Sequence, residues 1–148
     1  MTIIEKSIEI NAPSDKVWPL VTWDKIPEWF DMLKEAEWIS KEKNEVGSRL
    51  HVISEVADIK SDFDAEITEY AQSGEGERTW KTIGGGITAA GAIYLKPTGN
   101  KTLVMMVGEY KLPYGPIGTM LDMIRVRRAF EKSFADSCMR LKEITETR

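Results

Sequence analysis

The chain has 148 residues, of which 42% are hydrophobic and 30% are charged, and its formal net charge is −4. This length suits one domain with one core, and the composition excludes a disordered, collagen-like or membrane-spanning chain. The excess of acidic residues leaves no broad positive field, so we expect no nucleic-acid partner. We predict a single domain over residues 1–148.

Cys138 is the only cysteine, so an intrachain disulfide and a zinc site built from thiolates are both impossible. The first residues mix charged and apolar side chains, unlike a secretory signal, and no later stretch approaches about 18 uninterrupted apolar residues. The sequence therefore predicts a cytoplasmic protein in a reducing compartment, without stable membrane insertion.

The N-terminal part of the chain predicts one strand and two short helices. Apolar and polar residues alternate over Ile4–Ile10, which is the period of a half-buried strand. Pro13 and Ser14 suit the start of a helix that Pro19 keeps short or bent. A second helical segment is predicted over Asp24–Leu33, because its apolar residues recur at helical spacing.

Strand patterns follow as far as Leu112. The breaks between them are short and rich in turn-forming residues, which indicates an antiparallel meander. The predicted strands are Ala36–Ser40, Ser48–Val56, Ile59–Tyr70, Arg78–Gly84, Ile87–Lys96 and Thr102–Leu112.

Beyond Pro116 the apolar period becomes helical and remains so to the end of the chain. The element order is thus strand, two short helices, six strands and one long helix. This order predicts an α+β fold in which a strongly twisted antiparallel sheet wraps around the long helix.

Several segments occur in an order and spacing typical of one superfamily. They are Ile8-Glu9-Ile10-Asn11-Ala12-Pro13 with Val17-Trp18, Val46-Gly47-Ser48-Arg49-Leu50, Leu95-Lys96-Pro97 with Gly99-Asn100-Lys101-Thr102, and Leu141-Lys142 in the last helix. With these segments the chain resembles the START-like (SRPBCC) superfamily, also called helix-grip or Bet v 1-like, and within it the polyketide cyclase/dehydrase-type family.

The resemblance implies a curved antiparallel sheet of about seven strands around a long C-terminal helix. It also implies a cavity between them that binds lipids, hormones, polyketides or other apolar molecules, while only some members catalyse reactions. Strand alternation and the match of Leu95 and Thr102 to the family pattern predict the inner-face residues of this cavity. These are Val52, Phe63, Trp80, Ile93, Val104 and Met106.

The long helix and the second predicted helix complete the candidate pocket. Met120, Met123, Arg127 and Phe130 fall on the apolar stripe of the long helix, and Phe30 is a candidate to close the mouth. Methionines and aromatic rings suit either a tightly packed core or an irregular apolar space. We expect no cofactor, no metal ligands and no catalytic residue set from this pattern.

Arg127 is a charged residue within the apolar stripe of the long helix, whereas Arg125 points away from that stripe. One interpretation is that its guanidinium reaches the cavity and anchors an anionic or carbonyl-bearing ligand head. The other is that its stem lies on the core while the charge reaches solvent or pairs with a carboxylate such as Glu131.

The leading hypothesis is that the chain binds, and by binding transports or senses, a small hydrophobic molecule such as a lipid or polyketide. The second is a cyclase, dehydratase or hydrolase-like enzyme, for which Glu109, Tyr110, Asp122 and Arg127 are the polar candidates near the cavity. The third is a protein-interaction or cofactor-assembly module. Neither the ligand nor the oligomeric state follows from the sequence.

Gly84–Ala89 matches the dinucleotide-binding pattern G-x-G-x-x-A. That motif must open a helix, whereas the following residues suit a strand that stops at Pro97, so we predict a glycine-rich hairpin turn.

The single histidine and the acidic residues are assigned to solvent-facing strand surfaces. His51 shares a polar face with Arg49 and Glu55 by alternation. Asp62, Asp64 and Glu66 alternate with apolar residues, which indicates a wet strand face rather than a cation site. Cys138 is predicted to be a buried, inert thiol.

Overall fold

The structure, a computed structural model, describes residues 2–85, 87–111 and 120–148, with the backbone alone for residues 120–123. Two helices, α1 (Ser14–Val17) and α2 (Met120–Thr147), flank the strands, and 3-10 turns cover Trp18–Leu20 and Ile26–Glu28. The strands are β1 (Thr2–Ile10), β2 (Leu33–Trp38), β3 (Arg49–Val56), β4 (Ile59–Tyr70), β5 (Gly76–Gly85), β6 (Thr88–Thr98) and β7 (Lys101–Lys111).

The strands form one antiparallel sheet in the order β1-β7-β6-β5-β4-β3-β2. β2 to β7 follow one another as a meander, and β1 joins its far side by pairing with β7. α2 lies across the inner face and packs mainly against β1. The predicted α+β fold, a curved seven-stranded antiparallel sheet wrapped around the last helix, is confirmed.

One stripe of α2 faces the sheet, and its spacing follows the helical period. The thiol of Cys138 lies 3.5 Å from the Met106 sulfur, and burial raises its pKa to about 11. The thiol is therefore protonated at neutral pH, which confirms the prediction of a buried, inert cysteine. The buried residues of the stripe are Val126, Phe130, Ser133, Phe134, Ser137, Cys138, Leu141 and Thr145.

The helix predicted over Asp24–Leu33 is wrong, since only Ile26–Glu28 forms a 3-10 turn and β2 already begins at Leu33. Trp29 leaves helical geometry at φ −126° and is 1% exposed. Its indole Nε1 donates a 2.7 Å hydrogen bond to the Leu20 carbonyl. The backbone of this segment is thus irregular, and its buried apolar residues have the spacing of a helix without forming one.

The glycine-rich segment ends a strand and does not begin a helix. Gly84 and Gly85 are the last residues of β5, and β6 begins at Thr88. Gly86 lies outside the described residues. A dinucleotide-binding turn needs the N-terminus of a helix at this point, so the hairpin prediction is confirmed.

Gly85→Ala should lower the free energy of unfolding by about 1–3 kcal/mol. Gly85 has a φ of +112°, and an added Cβ would lie 2.6 Å from both the Asp62 carbonyl oxygen and the Phe63 Cα. Gly84 meets no atom within 4 Å, so Gly84→Ala is the matched control. Urea unfolding of both variants measures the difference, and equal stabilities would contradict the strain at Gly85.

The outer face of β3 and β4 carries the single histidine between two aspartates. Its Nδ1 lies 2.7 Å from Asp64 Oδ1, and its Nε2 lies 2.5 Å from Asp62 Oδ1. On the same face Arg49 pairs with Glu66 at 3.7 Å. The acidic residues therefore form a wet strand face, as predicted, although the histidine and arginine balance part of their charge.

The ion pairs of His51 should make stability depend on pH. The hydrogen bond to Asp64 and the charges of Asp62 and Asp64 raise the pKa of His51. The stabilisation is therefore complete below the unfolded-state pKa of about 6.5 and disappears as pH rises through the folded-state pKa. We expect His51→Gln to lower the urea midpoint at pH 5.5 and to leave it unchanged at pH 9; an equal loss at both would contradict this origin.

No helix within the described ranges is both long enough and apolar enough to cross a membrane.

Candidate ligand-binding site

A cavity of about 400 Å³ lies between the inner face of the sheet and α2. This volume falls within the ~300–1,000 Å³ range of small-molecule sites. Its wall is mainly apolar and draws on the loop before β2, the strands β3 to β7 and the first half of α2. Aromatic walls contribute Trp23, Phe30, Phe63, Trp80, Tyr110, Phe130 and Phe134.

The structure places six of the eleven candidate pocket residues on the cavity wall. Val52 and Val104 are completely buried, but neither contributes to the cavity wall. Alternation identifies the face of a strand that points inward, whereas the cavity occupies only part of that face. The side chains of Met120 and Met123 lie outside the described residues. The candidates on the wall are Phe30, Phe63, Trp80, Ile93, Met106 and Phe130.

Arg127 lies outside the cavity, with a side chain that is 57% exposed. Its Nε donates a 3.2 Å hydrogen bond to Glu131 Oε1, one helical turn further along. Its neighbour Val126 is the residue that is buried and lines the cavity. This position corresponds to the solvent-facing interpretation of Arg127, because one residue along a helix rotates a side chain by about 100°.

Trp80 forms the centre of one cavity wall. Its ring stacks on Phe63 at 5.9 Å between centroids and meets the edge of Trp23 at 5.7 Å. A Cβ added to Gly91 would lie 2.5 Å from the Trp80 Nε1, so the absence of a side chain there allows the indole to lie against β6. Glycine inside a strand often marks such a close approach, and this signal was present in the sequence.

Phe134 packs against a second glycine within a strand, as Trp80 packs against Gly91. A Cβ added to Gly108 would lie 2.6 Å from the Phe134 Cζ. Gly91 and Gly108 are directly paired across β6 and β7, so the two glycines make one smooth strip on the inner face. Neither glycine was among the predicted cavity residues, because the strip depends on the register between β6 and β7.

The remaining aromatic contacts lie along α2. Phe130 stacks on Tyr110 at 4.2 Å with an angle of 14° between the rings, and Phe134 meets Phe30 edge-on at 5.2 Å. Desolvation raises the pKa of Tyr110, so its phenol is neutral at physiological pH. These contacts hold the α2 side of the cavity with large, rigid side chains.

The sequence matches the model of a protein family over residues 1–146, and that family is described as polyketide cyclase / dehydrase and lipid transport. The chain belongs to this family. No curated protein matches the sequence.

Solved structures similar to this polyketide cyclase/dehydrase and lipid transport family member share its fold. TTHA0849 from Thermus thermophilus gives a TM-score of 0.81 at 17% identity, covering 99% of this chain and 98% of that one. The Zhui aromatase/cyclase from a Streptomyces species gives 0.78 at 11% identity, with 99% and 94% covered. A START superfamily protein from Mycobacterium smegmatis gives 0.71 at 16% identity, with 96% and 98% covered. These similarities confirm the predicted helix-grip fold.

The cavity of this family member has few polar groups. Of the four polar candidates for catalysis, Glu109 and Tyr110 line the wall, Arg127 does not, and the side chain of Asp122 lies outside the described residues. Three further charged residues also line the wall, although the sequence pattern did not select them for the cavity: Lys60, Asp62 and Arg78. In the part of the chain that the structure describes, no group of three or more His, Cys, Asp and Glu side chains is arranged to hold a metal ion.

Proposed function

We propose that the chain binds a small hydrophobic molecule, of the lipid or polyketide kind, in the cavity between the sheet and α2. The observation that carries this proposal is a mainly apolar cavity of about 400 Å³ whose wall includes seven aromatic residues. Removing ~300 Å² of apolar ligand surface from water supplies ~7 kcal/mol at ~25 cal/mol per Å², before the cost of association. A carrier or sensor of modest affinity fits this magnitude.

The first test uses Nile red, a neutral dye whose fluorescence rises in apolar surroundings. We expect the dye to bind and to quench tryptophan emission, and Trp80→Phe should remove a large part of that quenching, because Trp80 borders the cavity. Trp38→Phe is the matched control, since Trp38 lies on β2 away from the cavity wall. Equal quenching in the parent protein and Trp80→Phe would contradict binding beside this ring.

Native mass spectrometry of freshly purified protein tests the ligand class directly. We expect a fraction of the protein to carry an additional mass that organic extraction removes and identifies as an apolar molecule. A bare polypeptide mass, together with no Nile red binding, would overturn the proposed function.

A cyclase-like reaction in the same cavity is the alternative, and Glu109 and Tyr110 in the wall favour it. Because the Tyr110 phenol is neutral, it is able to donate a proton or hydrogen bond to a substrate oxygen. Turnover of a panel of polyketide and ester substrates, lost in Tyr110→Phe, would favour the enzyme. Binding of the same compounds without turnover would favour the carrier.

A further inference from the structure

Arg78 is a buried cation in the wall of a mainly apolar cavity, to which Glu109 and the exposed Lys60 and Asp62 also contribute. It lies on the inner face of β5 with 8% of its surface exposed, and it is the one charged residue among the buried residues that the structure describes. An isolated buried charge is costly unless other groups compensate it. Its surroundings therefore show what it is able to bind.

Backbone carbonyls and aromatic rings hold the guanidinium in one orientation. Nε donates a 3.0 Å hydrogen bond to the Ala71 carbonyl, while Nη1 donates to the carbonyls of Trp18 at 3.0 Å and Val21 at 2.7 Å. Its Cζ lies 4.4 Å from the centre of the Trp18 ring and 4.0 Å from that of Tyr70. Within the described ranges Nη2 has no acceptor, so its donors are available to another molecule.

Among the residues that the structure describes, no carboxylate forms an ion pair with Arg78. Tyr70 does not supply a negative charge, because burial raises the pKa of its phenol. Arginine stays protonated even where burial lowers its pKa, as it does here. Within the described ranges, carbonyl dipoles and ring faces are thus the groups that compensate this fixed cation.

Arg78 lies in a part of the cavity wall where its neighbours are buried. Val21, whose carbonyl it contacts, and Trp23 are buried, whereas Ile59 and Ile87, which also line the cavity, are half-buried. A molecule bound to Arg78 would therefore lie among buried residues. Its apolar part would contact Trp80, which lies two residues further along β5.

We propose that Arg78 anchors the carboxylate of an amphiphilic ligand whose hydrocarbon part fills the cavity, an inference that rests on the proposed function. The carboxylate would accept hydrogen bonds from Nη2 and would supply the missing counter-charge. Charge-assisted hydrogen bonds of this kind are shorter and stronger than neutral ones. The sequence pattern offered Arg127 for this role, but Arg78 is the arginine in the cavity wall.

Isothermal titration with decanoate and decan-1-ol separates the head group from the chain. We expect the unaltered protein to bind decanoate about tenfold to a hundredfold more tightly than decan-1-ol, which is the scale of one charge-assisted hydrogen bond. Arg78→Gln should bring the two affinities to within about twofold of each other. Arg127→Gln is the matched control, because it removes an arginine outside the cavity and should preserve the preference.

Arg78→Gln loses three hydrogen bonds to backbone carbonyls, and this loss is able to unfold the protein. A second measurement therefore uses the unaltered protein. We expect the carboxyl group of bound [1-¹³C]decanoate, titrated by NMR, to have a lower pKa than in water. Burial in an apolar cavity without a cation would raise that pKa instead. A raised pKa would therefore overturn the anchor.

The outcomes distinguish the two proposals. Equal binding of decanoate and decan-1-ol by the unaltered protein would overturn the role of Arg78 and leave the hydrophobic ligand in place. No binding of decanoate, decan-1-ol or Nile red would overturn the proposed function and, with it, the anchor.

Discussion

Gly91→Val should weaken Nile red binding by about tenfold or more while the protein remains folded. The new Cβ would lie 2.5 Å from the Trp80 Nε1, a distance that forces the ring away from β6. Phe63 and Trp23 contact two other sides of this ring, so it moves into the cavity and reduces the space for a ligand. Overpacking of this kind costs about 1–3 kcal/mol of stability.

Fluorescence titration with Nile red and urea unfolding measure the two effects of Gly91→Val separately. Gly84→Val is the control, because a Cβ at that glycine has no neighbour within 4 Å. We expect the control to bind the dye like the parent protein. If Gly91→Val did so as well, Trp80 would not border the space that the ligand occupies.

Trp29→Ala should lower the free energy of unfolding by about 3–5 kcal/mol, the range for removing a large aromatic side chain from a core. The ring is 1% exposed, and its centroid lies 5.8 Å from that of Phe30. In a chain of this size the loss corresponds to a melting temperature about 10–20 °C lower. Differential scanning calorimetry measures it.

Trp29→Phe separates packing from hydrogen bonding at the same position. It keeps an aromatic ring but leaves the Leu20 carbonyl without its indole partner, which costs about 1–3 kcal/mol. Ile39→Ala is the control, since Ile39 is 56% exposed and surface changes stay within about 0.5 kcal/mol. Equal losses for all three variants would show that Trp29 has no special place in the core.

Local periodicity was sufficient to predict the order of the strands and the long helix, and to predict which side of each of them faces the core. In β4 the buried residues Phe63, Ala65 and Ile67 alternate with Asp62, Asp64 and Glu66, as the sequence pattern indicated. The stripe of α2 likewise follows the helical period from Phe130 to Leu141. Such patterns are readable because a regular element has a fixed period, so that burial on one side appears directly in the spacing of apolar residues.

Periodicity failed as a predictor where the buried residues do not belong to a regular helix or strand. Ile26, Trp29 and Phe30 occur at helical spacing, yet the chain reaches the core there through a short 3-10 turn and an irregular segment. Alternation also could not tell Val52, which is buried beyond the cavity wall, from Phe63, which lines it. Both residues face inward, and only the placement of α2 and the loops decides which part of the inner face stays uncovered.

The position of Arg78 in the cavity wall is the feature that depends most on the tertiary structure. A charged residue in a strand normally indicates a solvent-exposed face. Alternation places Arg78 on the same face as Trp80, but it does not show which groups compensate a buried charge. Its carbonyl partners Trp18 and Val21, in the first 3-10 turn and directly after it, are 60 and 57 residues away in sequence, while Tyr70 belongs to the neighbouring strand. The sequence predicted the elements and most of their inward faces because those depend on near neighbours. The folded chain alone shows how distant carbonyls and rings compensate a buried charge.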